Sequence, residues 1–307
     1  MFAPGTLREK LTRVTDAALQ SGVLQPIPTE TNFLEDGGIR FLVRIVSNLA
    51  RKDQLRRAAG ERPAGSCNPF LPYDPALFVA DASDTHVCLL NKFNVLEHHL
   101  LLVTRRFEPQ EAPLNLQDFT ALWTCLAESD SLGFYNAGAE AGASQPHKHL
   151  QLVPLPLAGG GPRVPIEPVI DAAAVRPDTI GRTAEFPFAH ALARFEPRLA
   201  ESPQTAARST LRLYQAMLDE LRLLRDSGPS PAITAPHNLL ITQHWMLVVP
   251  RSRERVDSLS LNALAFAGAL LVRNHQQLAF LRDCGPLAAL QQVALSRDAS
   301  TPASRPE

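Results

Sequence analysis

The pattern of apolar and polar positions divides the chain into readable elements. Apolar residues recur at helical spacing from Leu7 to Leu19, with Gly22 placed to end the turn. Ile39 to Val46 is β-branched and reads as a strand. Arg51 to Ala59 is a charged turn or short helix, and Gly60 to Pro75 is a Pro- and Gly-rich loop. Ala76–Ala80, Thr85–Leu90 and His98–Thr104 are short apolar runs separated by turn residues, the signature of antiparallel strands. Leu116 to Ala127 has helical periodicity behind Asn115, a good N-cap. Leu132–Asn136 and His149–Val153 read as two more strands. The segment from Pro154 to Pro203 is dense in proline and reads as a long surface crossover. A helix from about Thr205 to Arg225 follows, then strands at His237–Thr242 and Trp245–Val249, helices at Leu259–Val272 and Pro286–Ala294, and a polar, disordered tail from Ser296 to Glu307.

Strands, a helix and more strands without regular βαβ alternation predict an α+β fold with a mainly antiparallel sheet and flanking helices. There is a weak internal echo. His98 to Arg106 resembles His244 to Ser252, and each run precedes a predicted helix by about a dozen residues. Two fused half-units would explain it; so would chance, since a strand followed by a helix is common.

Composition narrows the class. Hydrophobic residues make up 45% and charged residues 20% of the 307 residues, values of a globular protein able to bury a sizeable core. Thirty Lys and Arg against 31 Asp and Glu give no net field toward nucleic acid or membrane. No apolar run reaches membrane-spanning length, and Met1–Gln20 lacks a signal-peptide core. Cys67, Cys88, Cys125 and Cys284 form no C-x-x-C pair and read as reduced thiols. These features together predict a cytoplasmic protein.

The chemistry concentrates in Gly133–Gly138 and Ala141–Gln151. Residues two apart in a strand share a face, so His147, His149 and Gln151 line one face while Leu150 and Leu152 face the core. Three polar side chains in a row are costly unless that face is a site. The preceding loop contains Gly142, whose backbone can approach a ligand closely, and Ser144 and Gln145, which can cradle phosphate oxygens. Lys92, Lys148 and Arg105 or Arg106 could add positive charge. A neutral imidazole is a competent nucleophile on phosphorus when its other nitrogen is held in one tautomer. On spacing alone a zinc site is equally open, with His98 or His99 as a third ligand. Lys92 taken singly is a solvated charge, and Asn91, Asn94 and Asn136 could simply serve turns.

The segment Asn136 to Gln151 resembles the active-site stretch of the histidine-triad superfamily in its His-x-His-x-Gln transferase form. The longer context Ala141-Gly142-Ala143-Ser144-Gln145-Pro146-His147-Lys148-His149-Leu150-Gln151 is similar to diadenosine tetraphosphate phosphorylases, also called ATP adenylyltransferases. Agreement extends to Asn68–Tyr73, to Asn91–Val95 with His98–Thr104, and to Asn238–Leu240 with Trp245–Arg251, so that it runs from about Asp36 to about Ala294.

That resemblance implies a histidine-triad-like catalytic unit over 1–160, a crossover over 161–203, a second adenylyltransferase half over 204–295 and a tail over 296–307. It implies phosphorolysis of diadenosine tetraphosphate by phosphate to ATP and ADP through an adenylyl-histidine on His149. His147 would position or polarise the site and Gln151 would bond the adenylyl phosphate. Ser144 and Gln145 would hold the polyphosphate, Lys92 and Lys148 would neutralise it, and Asn94 and Asn136 would lie in the nucleotide pocket. A divalent cation, magnesium, would arrive with the substrate. No structural zinc is expected, because the cysteine pair that often accompanies this motif in galactose-1-phosphate uridylyltransferases is absent. His237 departs from the aromatic residue expected before Asn-Leu-Leu. The alternatives are a uridylyltransferase acting on sugar phosphates and a nucleotide sensor without turnover. Neither nucleic acid nor membrane is an expected partner.

Overall fold

The computed structural model describes residues 2–46, 68–225 and 233–297. The expectations for Arg51–Ala59, for most of the loop before Pro75 and for nearly all of the tail lie outside the described residues, as does Cys67.

The first helix, α1 (Leu7–Gln20), matches its apolar spacing. A hairpin of β1 (Thr29–Asp36) and β2 (Ile39–Val46) follows. Then come β3 (Phe78–Asp81), β4 (His86–Leu90) and β5 (Leu100–Thr104), each antiparallel to the next. Helix α2 (Leu116–Leu126) starts at Asn115, whose side chain accepts from the amides of Gln117 and Asp118 while the Asp118 carboxylate accepts from the Asn115 amide. This reciprocal box satisfies donors the helix would otherwise leave bare. Strands β6 (Ser131–Ala137) and β7 (His149–Pro154) complete the first half.

The proline-rich segment corrects the sequence reading. It contains α3 (Glu167–Ala172), β8 (Ile180–Gly181) and β9 (Ala191–Arg194), and it buries Val164, Ile166, Ile170, Phe186, Phe188 and Leu192. It is part of the core. After α4 (Pro203–Glu220) come short β10 (Leu224–Arg225) and β11 (Ile233–Thr234), then the hairpin β12 (His237–Ile241) and β13 (Trp245–Pro250). The stretch Leu259–Val272 is a second correction. Instead of one helix it forms a two-residue strand paired with β14 (Arg255–Val256), namely β15 (Leu259–Ser260), then the four-residue α5 (Ala263–Phe266) and β16 (Ala269–Val272). Helices α6 (His275–Cys284) and α7 (Pro286–Val293) close the fold.

Nine strands make one antiparallel sheet in the order β3-β4-β5-β7-β6-β12-β13-β9-β8, so the fold is α+β and both halves of the chain share one sheet. Alternation sorts its two faces. Leu100, Leu102, Leu150, Leu152, Tyr135, Leu239 and Met246 pack under α1, α2 and α4. On the other face Phe134, Val153, Leu240, Leu247 and Val249 pack against β2, β16 and the C-terminal helices, while Val87, Leu89, Leu101 and Val103 pack around Phe70. Burying such apolar side chains at roughly 25 cal/mol per Å² is the main stabilising term. The two clusters on this second face leave a gap over β7 and β6, and the polar residues sit there.

Candidate active site

His149 opens β7, with Phe70 packed at 5.3 Å between ring centroids. Its Nδ1 lies 2.8 Å from the His147 carbonyl oxygen. A carbonyl only accepts, so Nδ1 carries the proton and Nε2 keeps its lone pair. That Nε2 makes no hydrogen bond to any described residue. Burial pushes the His149 pKa down to about 4, against the smaller opposing effect of the His147 carbonyl. The ring is therefore neutral at pH 7.

His147 also packs on Phe70, at 5.6 Å, so the two histidines share a face as their spacing requires. Both its ring nitrogens are occupied: Nε2–H donates to the Thr104 carbonyl at 2.8 Å, and Nδ1 accepts from Asn68 Nδ2 at 2.9 Å. It meets the site through its backbone oxygen. Among the described residues no three His, Cys, Asp or Glu side chains are grouped to hold a metal ion.

Gln151 lines a cavity of about 400 Å³ with His99, Asn91, Asn136, Gly142 and Ser144. His99 was singled out in the sequence only as a possible metal ligand. Its Nε2–H donates to Gln151 Oε1 at 3.0 Å and its Nδ1 accepts from Asn91 Nδ2 at 3.3 Å. Burial lowers its pKa to about 4. With its oxygen engaged, the Gln151 amide has its hydrogens left for the cavity. Asn136 is arranged alike: its Oδ1 accepts from Asn238 Nδ2 at 2.8 Å and from the Ala263 amide at 2.9 Å. The signal for His99 was its parity with Leu101 and Val103 in the β5 run.

The loop between β6 and β7 is fixed from the second half. The Ala141 carbonyl accepts from Asn238 Nδ2 and from Arg251, which is buried and also donates to Asn238 Oδ1 at 2.6 Å. Gly142 has φ +89°, and a Cβ there would stand 2.9 Å from Asn262 Cβ and 3.0 Å from the Leu261 oxygen. The glycine permits a close approach, as its sequence context suggested, and the partner is the 261–262 backbone.

Lys148 is corrected outright. It is buried on the helix side of the sheet, where its Nζ pairs with Glu108 at 2.8 Å and Asp118 at 3.1 Å, so it has no reach to the cavity. Asn94 is also corrected: it is buried, donates to the Leu96 carbonyl at 2.9 Å and does not line the cavity, although Phe93, Val95 and Leu96 do. Lys92 is exposed, with its Nζ 5.4 Å from the Phe93 ring centroid, and Gln145 is half-buried; neither lines the cavity. The cations that do line it are Arg44 and Arg273, neither of which stood out in the sequence.

His147 and His149 do not line the cavity themselves, but His149 lies within electrostatic reach of His99, which does, alongside amides, two arginines and apolar side chains. An unbonded imidazole nitrogen next to such a cavity fits a nucleotidyltransferase. Residues 1–172 match the Ap4A phosphorylase N-terminal domain and residues 184–296 match the ATP adenylyltransferase C-terminal domain. The chain is 27% identical over 308 residues to the diadenosine tetraphosphate phosphorylase 2 of Saccharomyces cerevisiae, covering 90% of each chain. It is 28% identical over 304 residues to the same yeast's Protein APA1, covering 90% of this chain and 89% of that one. Its fold superposes on the crystal structure of yeast Ap4A phosphorylase Apa2 with a TM-score of 0.78 at 24% identity, over 96% of both chains. The protein belongs to the Ap4A phosphorylase/ATP adenylyltransferase family and is an enzyme of that type. His237, the residue that departs from the family pattern, lies on the helix side, with its Nε2 accepting from the Tyr214 hydroxyl at 2.9 Å, so the departure does not touch the cavity.

Proposed function

We propose that the protein cleaves diadenosine tetraphosphate with phosphate to ATP and ADP through an adenylyl-histidine on His149. The observation that carries this reading is the His149 ring held as its Nδ1–H tautomer by the His147 carbonyl, with Nε2 unbonded. The Nε2 lone pair attacks an α-phosphorus, the P–O bond to the β-phosphate bridge breaks, and ATP leaves with those electrons. Positive charge builds on the imidazole, and the His147 carbonyl, already bonded to Nδ1–H, stabilises it. The amide hydrogens of Gln151 and Asn136 stabilise the charge on the non-bridging oxygens. A phosphate oxygen then attacks the adenylyl phosphorus, the P–N bond breaks, and ADP departs as Nε2 regains its pair.

Arg44 and Arg273 take the charge-neutralising role that Lys148 cannot. Ser144 lines the cavity and would contact the polyphosphate. A divalent cation such as magnesium would travel with the polyphosphate and be held by its oxygens; chelation should slow turnover and added magnesium restore it.

The test is product chromatography across a phosphate titration, together with labelling by radioactive substrate. ADP and multiple turnovers should require phosphate; without it each site should release at most one equivalent of ATP and the protein should carry an acid-labile, base-stable label. Rapid release of AMP without phosphate would make the protein a hydrolase and sink the proposal.

A further inference from the structure

The ladder between the two central strands stops early. β6 and β7 pair from Ser131 with Pro154 to Phe134 with Gln151. The same register would next join Tyr135 to Leu150 and Asn136 to His149. Neither pair forms, although β6 stays paired with β12 as far as Ala137 and β7 stays paired with β5 back to His149. The sheet forks at the nucleophile.

One side chain fills the fork. Gln110, fully buried, donates from Nε2 to the Asn136 carbonyl at 2.9 Å and to the His149 carbonyl at 3.2 Å, and its Oε1 accepts from the His149 amide at 2.9 Å. A primary amide has the donors and the acceptor to stand in for a missing stretch of backbone. Gln110 is itself pinned: its amide donates to the Pro146 carbonyl at 2.9 Å and its carbonyl accepts from the Tyr135 hydroxyl.

We infer that Gln110 is a positioning residue that wedges β6 from β7 and sets the place of the His149 imidazole relative to Asn136. The inference rests on the proposed role of His149. Without the wedge, the His149 amide and carbonyl lose the Gln110 partner, the Asn136 carbonyl keeps only its bond from the Gly138 amide, and the ladder can close by pairing Asn136 with His149. Closure would shift the imidazole and the Asn136 amide together, out of the geometry that attack on phosphorus requires.

The experiment compares Gln110→Ala and Gln110→Glu with the wild type. In Gln110→Ala, kcat should fall about a hundredfold, the size expected from a displacement of about 1 Å, with KM changed little. Gln110→Glu supplies the decisive readout. An ionised carboxylate can accept from the His149 amide but cannot donate to either carbonyl; a protonated one can accept and can donate to one of them. Divided by the wild-type kcat at the same pH, which cancels the titration of the phosphate acceptor, the kcat of Gln110→Glu should therefore rise as pH falls from 8 toward 6. Hydrogen exchange at the His149 amide, followed by mass spectrometry of a peptide spanning it, should be faster in Gln110→Ala. Wild-type kcat in both variants, with unchanged exchange, would overturn the inference. If the wild type forms no adenylyl-protein, the proposed function fails separately, and the exchange measurement alone judges the wedge.

Discussion

Two hairpins in this molecule begin alike and end differently. β4–β5 and β12–β13 are both antiparallel pairs in the main sheet, and each is followed about a dozen residues later by an asparagine that caps a helix. After the first, Asn115 starts eleven residues of helix, and the chain returns to the sheet as β6 and β7, which carry Asn136, His149 and Gln151. After the second, Asn262 starts only four residues of helix, and β16 leaves the main sheet to pair in parallel with β2. The second half thereby gives up strands in the sheet and becomes a wall and a clamp. Its Asn238 and Arg251 hold the Ala141 carbonyl, its Ala263 amide holds Asn136, and its Leu261–Asn262 backbone fits against Gly142. One half supplies His149, the proposed nucleophile, and the other fixes the loop and the Asn136 amide proposed to meet the substrate.

Substitutions can break that division of labour. The largest effect is expected at His149 in the first half. His149→Ala should lower ATP formation from diadenosine tetraphosphate and phosphate by more than about a thousandfold and abolish protein labelling, since no residue described as lining the neighbouring cavity offers an unbonded imidazole nitrogen in its place. The thermal unfolding profile should remain cooperative. Near-normal turnover by this variant would remove the mechanism.

The next effect changes the outcome more than the rate. Gln151 can orient the adenylyl phosphate but has no titratable proton, while His99, which does titrate, is kept one amide back by its bond to Gln151 Oε1. Gln151→His brings a proton-exchanging group to the phosphate and should raise the ratio of AMP to ADP by about tenfold or more. An unchanged ratio across a phosphate titration would show that something other than this amide restrains water.

A smaller loss is expected from the second-half clamp. Asn238→Ala leaves Asn136 Oδ1, the Ala141 carbonyl and one Arg251 donor each short of a partner. Stability to urea should fall by about 1–3 kcal/mol, and kcat by about tenfold through displacement of the loop and the Asn136 amide. A fall in stability with unchanged kcat would reduce the second half to scaffold.

These assignments were unevenly legible in the sequence. The His-x-His-x-Gln strand was readable because alternation is local: it placed His147, His149 and Gln151 on one face and Leu150 and Leu152 on the other. The same alternation puts Lys148 with the leucines. What the sequence could not show was that Glu108 and Asp118, 40 and 30 residues away, would pair with it under the sheet. Leu259–Val272 was misread because leucine and alanine favour helix, whereas pairing with β2 and the close packing of Gly268, at φ +86°, on Pro165 decide otherwise. Prolines from 154 to 203 suggested a surface path, yet Phe186 and Phe188 stack at 5.3 Å in the core. Such outcomes depend on partners distant in sequence. Arg44 and Arg273 belong to this group: they meet at the cavity only because β16 pairs with β2.

The smallest effect on activity, and the sharpest test of the comparison, is expected at His237. It stands at the start of β12, opposite Ala137, with its ring on the helix side, Nδ1–H donating to the Ala235 carbonyl and Nε2 accepting from Tyr214. Burial lowers its pKa to about 4, as it does for His99, His149 and His190. In the unfolded chain each would titrate near 6.5. Between about 4 and 6.5 the unfolded state therefore binds more protons, so stability is intact above 6.5 and is lost as pH falls toward 4. Each histidine contributes a slope of up to about 1.4 kcal/mol per pH unit in that window. His237→Phe removes one of the four and restores the kind of residue that the family pattern led us to expect. At pH 7 stability should fall by about 1 kcal/mol, because the Tyr214 hydroxyl loses its acceptor. Urea midpoints measured from pH 7 to pH 4.5 should then decline less steeply than in the wild type, so that the two curves converge on the acid side. Throughout, kcat/KM should stay within about twofold of wild type, as for a substitution away from the site. A tenfold loss of kcat/KM would instead carry catalysis through the helix side of β12 and undo the assignment of the second half to wall and clamp.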